Sequence, residues 1–187
     1  MSFIVGIDGP AGTGKGTITN LVAKDLKLNQ IDTGAMYRAF TLYMLDNKVE
    51  LDEIEKIKEL LEKVKIDLIQ EDDKETVFLN GKDVTKEIRS KSVTNFVSPV
   101  SSIIEVRIKM VELQRKMAEG KNVIMEGRDI TTYVFPNANV KIYLDANVEE
   151  RAKRRYKENI EKGMQTTFEE VLQDMKKRDY NDMHKPM

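Results

Sequence analysis

Gly9-Pro10-Ala11-Gly12-Thr13-Gly14-Lys15-Gly16-Thr17 decides how the rest of this chain is read. It follows an apolar run, Phe3-Ile4-Val5-Gly6-Ile7, and precedes Ile18-Thr19-Asn20-Leu21-Val22-Ala23, which has helical texture. Strand, glycine-rich turn and helix in that order are the setting of a phosphate-binding P-loop. The glycines let backbone N–H groups converge on an anion, and the helix N-terminus adds its positive dipole end. Lys15 adds a mobile cation for the outer phosphates. Gly16 stands where a Ser or Thr usually meets Mg²⁺, and Thr17 comes one residue later. An ordinary glycine-rich turn is the plainer reading of a short match. Lys15 and both flanking elements favour phosphate.

The bulk properties narrow the class. The 187 residues suffice for one α/β domain with a small insert. With 40% apolar and 34% charged residues the chain suits a soluble globular protein. A net charge of −1 offers no global field for nucleic acid. There is no cysteine, so neither disulfides nor thiolate chemistry arise. The one histidine, His184, leaves no multi-histidine metal site. Residues 3–7 are too short for a signal peptide, and no stretch reaches membrane-spanning length, so a cytoplasmic location is expected. A monomer is expected because no apolar stripe asks for a partner.

Outward from the loop, strands are expected at 3–8, 29–32, 122–125 and 140–144, alternating with helices. That alternation implies a parallel sheet with right-handed crossovers. The first helix is expected from about Lys15 to Leu26, with Leu21, Val22, Leu26 and Leu28 inward. A second is expected from Ala35 to Leu45, with Thr33 as its N-cap. A third runs over 51–64, where Leu51, Ile54, Ile57, Leu60, Leu61 and Val64 keep a helical period. Residues 65–85 change texture. Short strand-like runs around the turn dipeptide Asn80-Gly81 predict a small antiparallel insert. Pro99 is expected to open a long helix reaching Met117. Two helices close the chain, about 148–161 and 168–181, with a hinge or turn at 163–167.

In a parallel sheet, ligands gather at the carboxyl ends of the strands. The glycine loop, Asp32-Thr33-Gly34, Gly127-Arg128-Asp129 and Asp145 are all expected on that rim. Arg38, Arg128, Arg151, Arg154, Arg155 and Arg178 matter there. Phosphoryl transfer needs positioning and positive charge more than covalent help, and the arginine fork grips phosphate oxygens bidentately. For Arg151 to Arg155 a solvated basic face paired with Glu149 and Glu150 stays open. For Arg178 and Asp182 an i,i+4 ion pair stays open too.

These residues together carry a resemblance. The loop, Asp32-Thr33-Gly34-Ala35-Met36-Tyr37-Arg38, Gly127-Arg128-Asp129-Ile130, Val134-Phe135-Pro136-Asn137-Ala138, Glu149-Glu150-Arg151-Ala152 with Arg154-Arg155, and Arg178-Asp179 with Asp182 resemble bacterial cytidylate kinases in order and spacing. Leu79-Asn80-Gly81-Lys82-Asp83-Val84-Thr85 is similar to that family's nucleotide-binding insert. Adenylate and thymidylate kinases share the loop but not the Asp32–Arg38 block.

The resemblance implies a P-loop NTPase-type α/β three-layer sandwich with a central parallel sheet, a small antiparallel β insert and a helical lid. Residues 1–187 would form a single kinase domain, with the acceptor-binding insert at 65–85 and the lid at 147–166. It implies transfer of the ATP γ-phosphoryl group to CMP or dCMP with Mg²⁺ accompanying ATP, near Thr17, with no metal motif of the protein's own. Gly9, Pro10, Ala11, Gly12, Thr13, Gly14, Lys15, Gly16 and Thr17 would hold the ATP phosphates. Thr33 would meet the sugar side of the acceptor, Arg38 and Arg128 its phosphate, and Ser98 and Arg107 the cytosine edge. Asp129 would orient the nucleoside, and Arg178 and Asp182 would contact the ribose. Lys15, Arg128, Arg151 and Arg155 would be catalytic, the last two on a mobile lid.

Three departures accompany the match. Thr131 replaces an expected Gly, which would stiffen its loop. Lys185 stands where the family has a cytosine-side Arg, keeping charge but losing the fork. The family continues beyond the position of Met187 with a strand and a helix, so a C-terminally truncated chain is expected. Alternatives are a kinase for UMP, AMP or shikimate, a nucleotide-binding switch, and a form that binds nucleotide without turnover. A GTPase-type switch would carry Asn-Lys-x-Asp, which is absent from the sequence.

Overall fold

The computed structural model describes residues 2–71, 74–161 and 163–184. β1 (Ile4–Asp8) and α1 (Lys15–Leu26) flank the glycine loop; β2 (Asn29–Asp32) runs directly into α2 (Thr33–Asp46). α3 (Ile54–Lys63) leads to the insert, β3 (Ile66–Glu71), β4 (Lys74–Leu79) and β5 (Lys82–Asp83). α4 (Lys91–Val100), α5 (Ile104–Ala118), β6 (Val123–Gly127), β7 (Val140–Tyr143), α6 (Val148–Glu161) and α7 (Phe168–Met183) complete the chain. The main sheet has the order β2-β6-β1-β7 and is parallel throughout. The insert is a separate antiparallel sheet, β3-β4-β5.

Register sets the rim. Asp8 pairs with Gly127 and with Tyr143, and Asp32 pairs with Glu126, so the ends of all four strands fall in one line. The larger core lies on one face of the sheet. There Met36 and Phe40 of α2, Ile57 of α3, Met110 of α5 and Met125 of β6 are fully buried. Val77 and Leu79 of the insert and Val84 beyond it join that same core, so the insert is packed into the body. The other face is thinner: Val5, Ile7 and Ile124 meet Ala23 of α1, with Val22, Leu28 and Leu144 at the margin. A third cluster, Ala152, Val171 and Met175, binds α6 to α7. The Asn80-Gly81 turn takes φ of 50° and 83°, the left-handed pair that suits a two-residue hairpin.

Several expectations change. The N-cap of α2 is Asp32, whose Oδ1 accepts the Ala35 amide at 3.0 Å. Thr33 is the first helical residue, and its hydroxyl donates instead to the Glu126 carbonyl at 2.7 Å. Leu21 and Leu26 are about three-fifths exposed, because Lys15, Thr19 and Ala23 form the buried side of α1. The small side chains of Thr19 and Ala23 let the helix lie close to the sheet behind the loop. Leu51 belongs to a turn, and α3 starts at Ile54. Pro99 ends a helix instead of opening one. α4 begins after Ser90, whose Oγ accepts the Val93 amide, and Val93, Val97 and Val100 bury one helical side. A proline in the last turn removes a ladder hydrogen bond, and the chain breaks at 101–103 before α5 starts.

Candidate active site

The glycine loop closes around its own lysine. Gly9 has φ 148°, and a Cβ there would collide with the Leu144 carbonyl, so the approach of the loop to the β7 end requires glycine. Gly14 caps α1 in the left-handed region. Lys15 Nζ donates to the carbonyls of Gly9 at 2.6 Å and Pro10 at 2.7 Å, and lies 3.4 Å from the Thr13 hydroxyl. Burial, then the charge of Arg128, brings the Lys15 ammonium down to about 8. Among the described residues the hydrogen-bond partners of this buried cation are carbonyls and a hydroxyl, which it is suited to trade for phosphate oxygens.

Arginines face the loop. Arg128 Nε donates to Asp182 Oδ2 at 2.7 Å, and its Nη1 donates to the Gly9 carbonyl at 2.9 Å. Arg38 Nη1 donates to Thr94 Oγ1 at 3.0 Å and to the Ile88 carbonyl at 3.3 Å. Burial lowers Arg38 to about 10, and the charges of Arg178, Arg155 and Arg89 push the same way. Arg178 is lowered by burial and then by Arg128 and Arg155. Four guanidiniums that raise one another's electrostatic energy, Arg38, Arg128, Arg155 and Arg178, form a site whose repulsion an anion would relieve. Arg155 is half-exposed and meets Glu158 at 3.1 Å.

Beside this cationic wall sit carboxylates. Glu126 is pushed up to about 7 by burial, then by Asp32. Glu75 reaches in from the insert and is likewise pushed up to about 7 by burial, then by Asp32. Among the described residues no three acidic or histidine side chains come together to hold a metal.

Arg107 and Asp129 come together near Tyr37. Arg107 Nη2 donates to Asp129 Oδ2 at 2.6 Å. Among the described residues, the buried Ser98 hydroxyl and Arg107 Nε have no hydrogen-bond partner. Burial, then the charge of Asp129, raises the Tyr37 phenol. Arg151 is buried against Asp179, the Ala146 carbonyl and the Ala11 carbonyl. Thr17 is exposed on the first turn of α1. Lys185 lies outside the described residues.

Sequence reasoning missed Asp8. Its carboxylate is 2% exposed and accepts the amides of Ile130 at 2.8 Å and Thr131 at 2.7 Å, and the Thr131 hydroxyl at 2.6 Å. It thereby ties the segment carrying Arg128 and Asp129 to the strand that feeds the phosphate loop. An acid immediately before Gly9 was the available signal. Glu75 and Asp179 were missed as well, since their neighbours come from distant elements.

A profile of the cytidylate kinase family matches residues 5–187. The chain is 50% identical over 181 residues to a cytidylate kinase of Fusobacterium nucleatum, covering 97% of this chain and 81% of that protein. It is 48% identical over 179 residues to one of Caldicellulosiruptor saccharolyticus (96% and 79% covered) and 46% identical over 175 residues to one of Bacillus subtilis (94% and 78% covered).

Proposed function

This chain belongs to the cytidylate kinase family, and from that premise we propose how its residues divide the work of moving a phosphoryl group from ATP to CMP or dCMP. It is an ATP-dependent (d)CMP kinase of pyrimidine nucleotide metabolism. The observation that supports the division most is Arg128, which links the Gly9 carbonyl of the loop to Asp182 of α7.

In this reading the backbone amides from Gly9 to Thr17 hold the donor phosphates. Lys15 leaves the Gly9 and Pro10 carbonyls for the outer phosphate oxygens. Arg38 and Arg128 hold the acceptor phosphate, Thr33 meets its sugar side, and Arg178 and Asp182 contact the ribose. An oxygen of that phosphate attacks the γ-phosphorus in line. The new O–P bond forms as the bond to the bridging oxygen of ADP breaks, and Lys15, Arg128 and Arg155 balance the charge of the group in flight. No general base is required, because the attacking phosphate is already anionic. Ser98, Arg107 and Asp129 read the cytosine edge. Asp129 accepts from the amino group and the Arg107 fork donates to the ring acceptors, so a base lacking that amino group would leave the partly buried Asp129 without that donor.

Phosphoryl transfer of this kind generally uses a divalent metal. The described residues fit Mg²⁺ carried in with ATP, which keeps its waters and binds mainly through phosphates. In this reading Asp32, Glu126 and the Thr17 hydroxyl would be the side chains that meet those waters. When bound, Mg²⁺ would neutralise the phosphate charge. The reading includes a monomer acting in the cytoplasm. Among the described residues, no helix is long and apolar enough to cross a membrane.

The test is an ADP-release assay with ATP, Mg²⁺ and each of CMP, dCMP, UMP and AMP. Turnover with CMP and dCMP well above the others is expected. Faster turnover of UMP or AMP would overturn the acceptor assignment.

A further inference from the structure

Two carboxylates on α7, Asp179 and Asp182, each hold an arginine that also donates to a carbonyl of the phosphate loop. Asp182 holds Arg128, which reaches Gly9; Asp179 holds Arg151, which reaches Ala11. The two arrangements differ in freedom. The Arg128 side chain is 32% exposed, whereas that of Arg151 is 5% exposed. Arg151 Nη1 donates to Asp179 Oδ1 at 3.1 Å and to the Ala11 carbonyl at 3.0 Å. Its Nη2 donates to Asp179 Oδ2 at 2.6 Å, and its Nε donates to the Ala146 carbonyl at 2.9 Å. Four of the five donors of the fork are spent inside the protein. Swinging this side chain out would leave Asp179, 12% exposed, without its counter-charge.

The loop crest packs on the same two helices. A Cβ on Gly12 would lie 3.0 Å from Met175 Cε of α7 and 3.5 Å from Arg151 Cβ of α6. Met175 stands one helical turn before Asp179. Crest, α6 and α7 therefore meet around one buried guanidinium.

We propose that Arg151 and Asp179 are positioning residues that brace the crest of the phosphate loop through the Ala11 carbonyl, and that Arg151 does not touch the transferring phosphoryl group. The proposal rests on the (d)CMP kinase reading for what the loop holds. A bidentate pair suits this task because two parallel bonds fix the plane of the fork, and with it the direction of the donor aimed at Ala11. Lysine would keep the charge and lose that direction.

The experiment compares Arg151→Lys, Asp179→Asn and the double variant, using calorimetric binding of a β,γ-methylene ATP analogue and of CMP together with steady-state rates. Each single change is expected to weaken the analogue about tenfold and to raise KM for ATP more than it lowers kcat. The double variant is expected to bind no more weakly than the worse single, because both changes break one brace. CMP affinity is expected to move by less than about twofold, since its phosphate contacts lie on other arginines. The proposal is overturned if Arg151→Lys lowers kcat about a hundredfold with analogue affinity unchanged while Asp179→Asn behaves as wild type. Should either variant fail to fold, Asp179→Glu keeps the charge and shifts it by one methylene. Weakened analogue binding is expected there, and wild-type binding would equally overturn the brace. Failure of the unaltered protein to phosphorylate CMP or dCMP would remove the acceptor reading and leave the binding comparison to decide the brace.

Discussion

Arg107 and Asp129, the two side chains proposed to read the acceptor base, are joined to each other by a 2.6 Å ion pair. The guanidinium is 9% exposed and the carboxylate 23%. Removing the acid leaves a buried cation without its counter-charge. Asp129→Ala is expected to cost about 2–3 kcal/mol, below the range for fully buried pairs because Asp129 keeps some contact with water. Arg107→Met combined with Asp129→Ala is expected to unfold at a higher urea concentration than Asp129→Ala alone. A wild-type urea midpoint for Asp129→Ala would show that the pair is not what neutralises Arg107.

Glu75 gives the protein a pH-dependent weakness. Its Oε1 is buried without a hydrogen-bond partner among the described residues. Burial, then the charges of Asp32 and Glu126, raise it, while Arg89 and the Asp32 amide oppose, leaving it at about 7. Below the ordinary glutamate value both folded and unfolded forms are protonated. Between that value and about 7 the folded form holds a proton that the unfolded form has lost, so stability falls as pH rises, and the loss is complete above about 7. Glutamine mimics the protonated acid. Glu75→Gln is therefore expected to gain about 1–2 kcal/mol at pH 8, a few degrees in Tm, and close to nothing at pH 4.5. Thermal melts at the two pH values check this, and equal gains at both would refute the titration.

Gly6 and Thr131 share one space. A Cβ at Gly6 would stand 2.8 Å from Thr131 Cγ2 and 3.2 Å from Ile130 Cγ2. Gly6→Ala is expected to cost about 1–3 kcal/mol as an overpacked core position. Thr131→Ser in the Gly6→Ala background deletes the obstructing methyl and keeps the hydroxyl that donates to Asp8. The double variant should recover a good part of the lost Tm. If it melts no higher than Gly6→Ala, the clash is not with that methyl.

Thr131 also shows how a departure from a pattern reads differently in three dimensions. Along the chain it is a side chain where glycine was expected, with a stiffer loop as the consequence. In the fold its hydroxyl and amide both reach Asp8, and Gly6 makes room for its methyl. Pro99 is a similar case. Its place at the first turn of a helix and its place in the last turn leave the same local sequence, and the Val93, Val97 and Val100 contacts chose the second.

The sequence by itself determined the phosphate loop, the alternation that makes a parallel sheet and the hairpin at Asn80-Gly81. Those features are carried by local spacing: glycines that free the backbone, hydrophobic periods, and strand ends that parallel pairing aligns. Only the tertiary structure decided which arginines keep exposed surface and which are buried among protein partners. Arg128 and Arg151 have the same chemistry, and burial and partners separate them. Arg151 meets Asp179 and Ala11 across 28 and 140 residues of chain, distances over which no periodicity carries information. Asp8 likewise finds its donors 122 and 123 residues away. Long-range contacts of this kind are settled by packing, because a buried charge is tolerated only where distant segments bring it its partners.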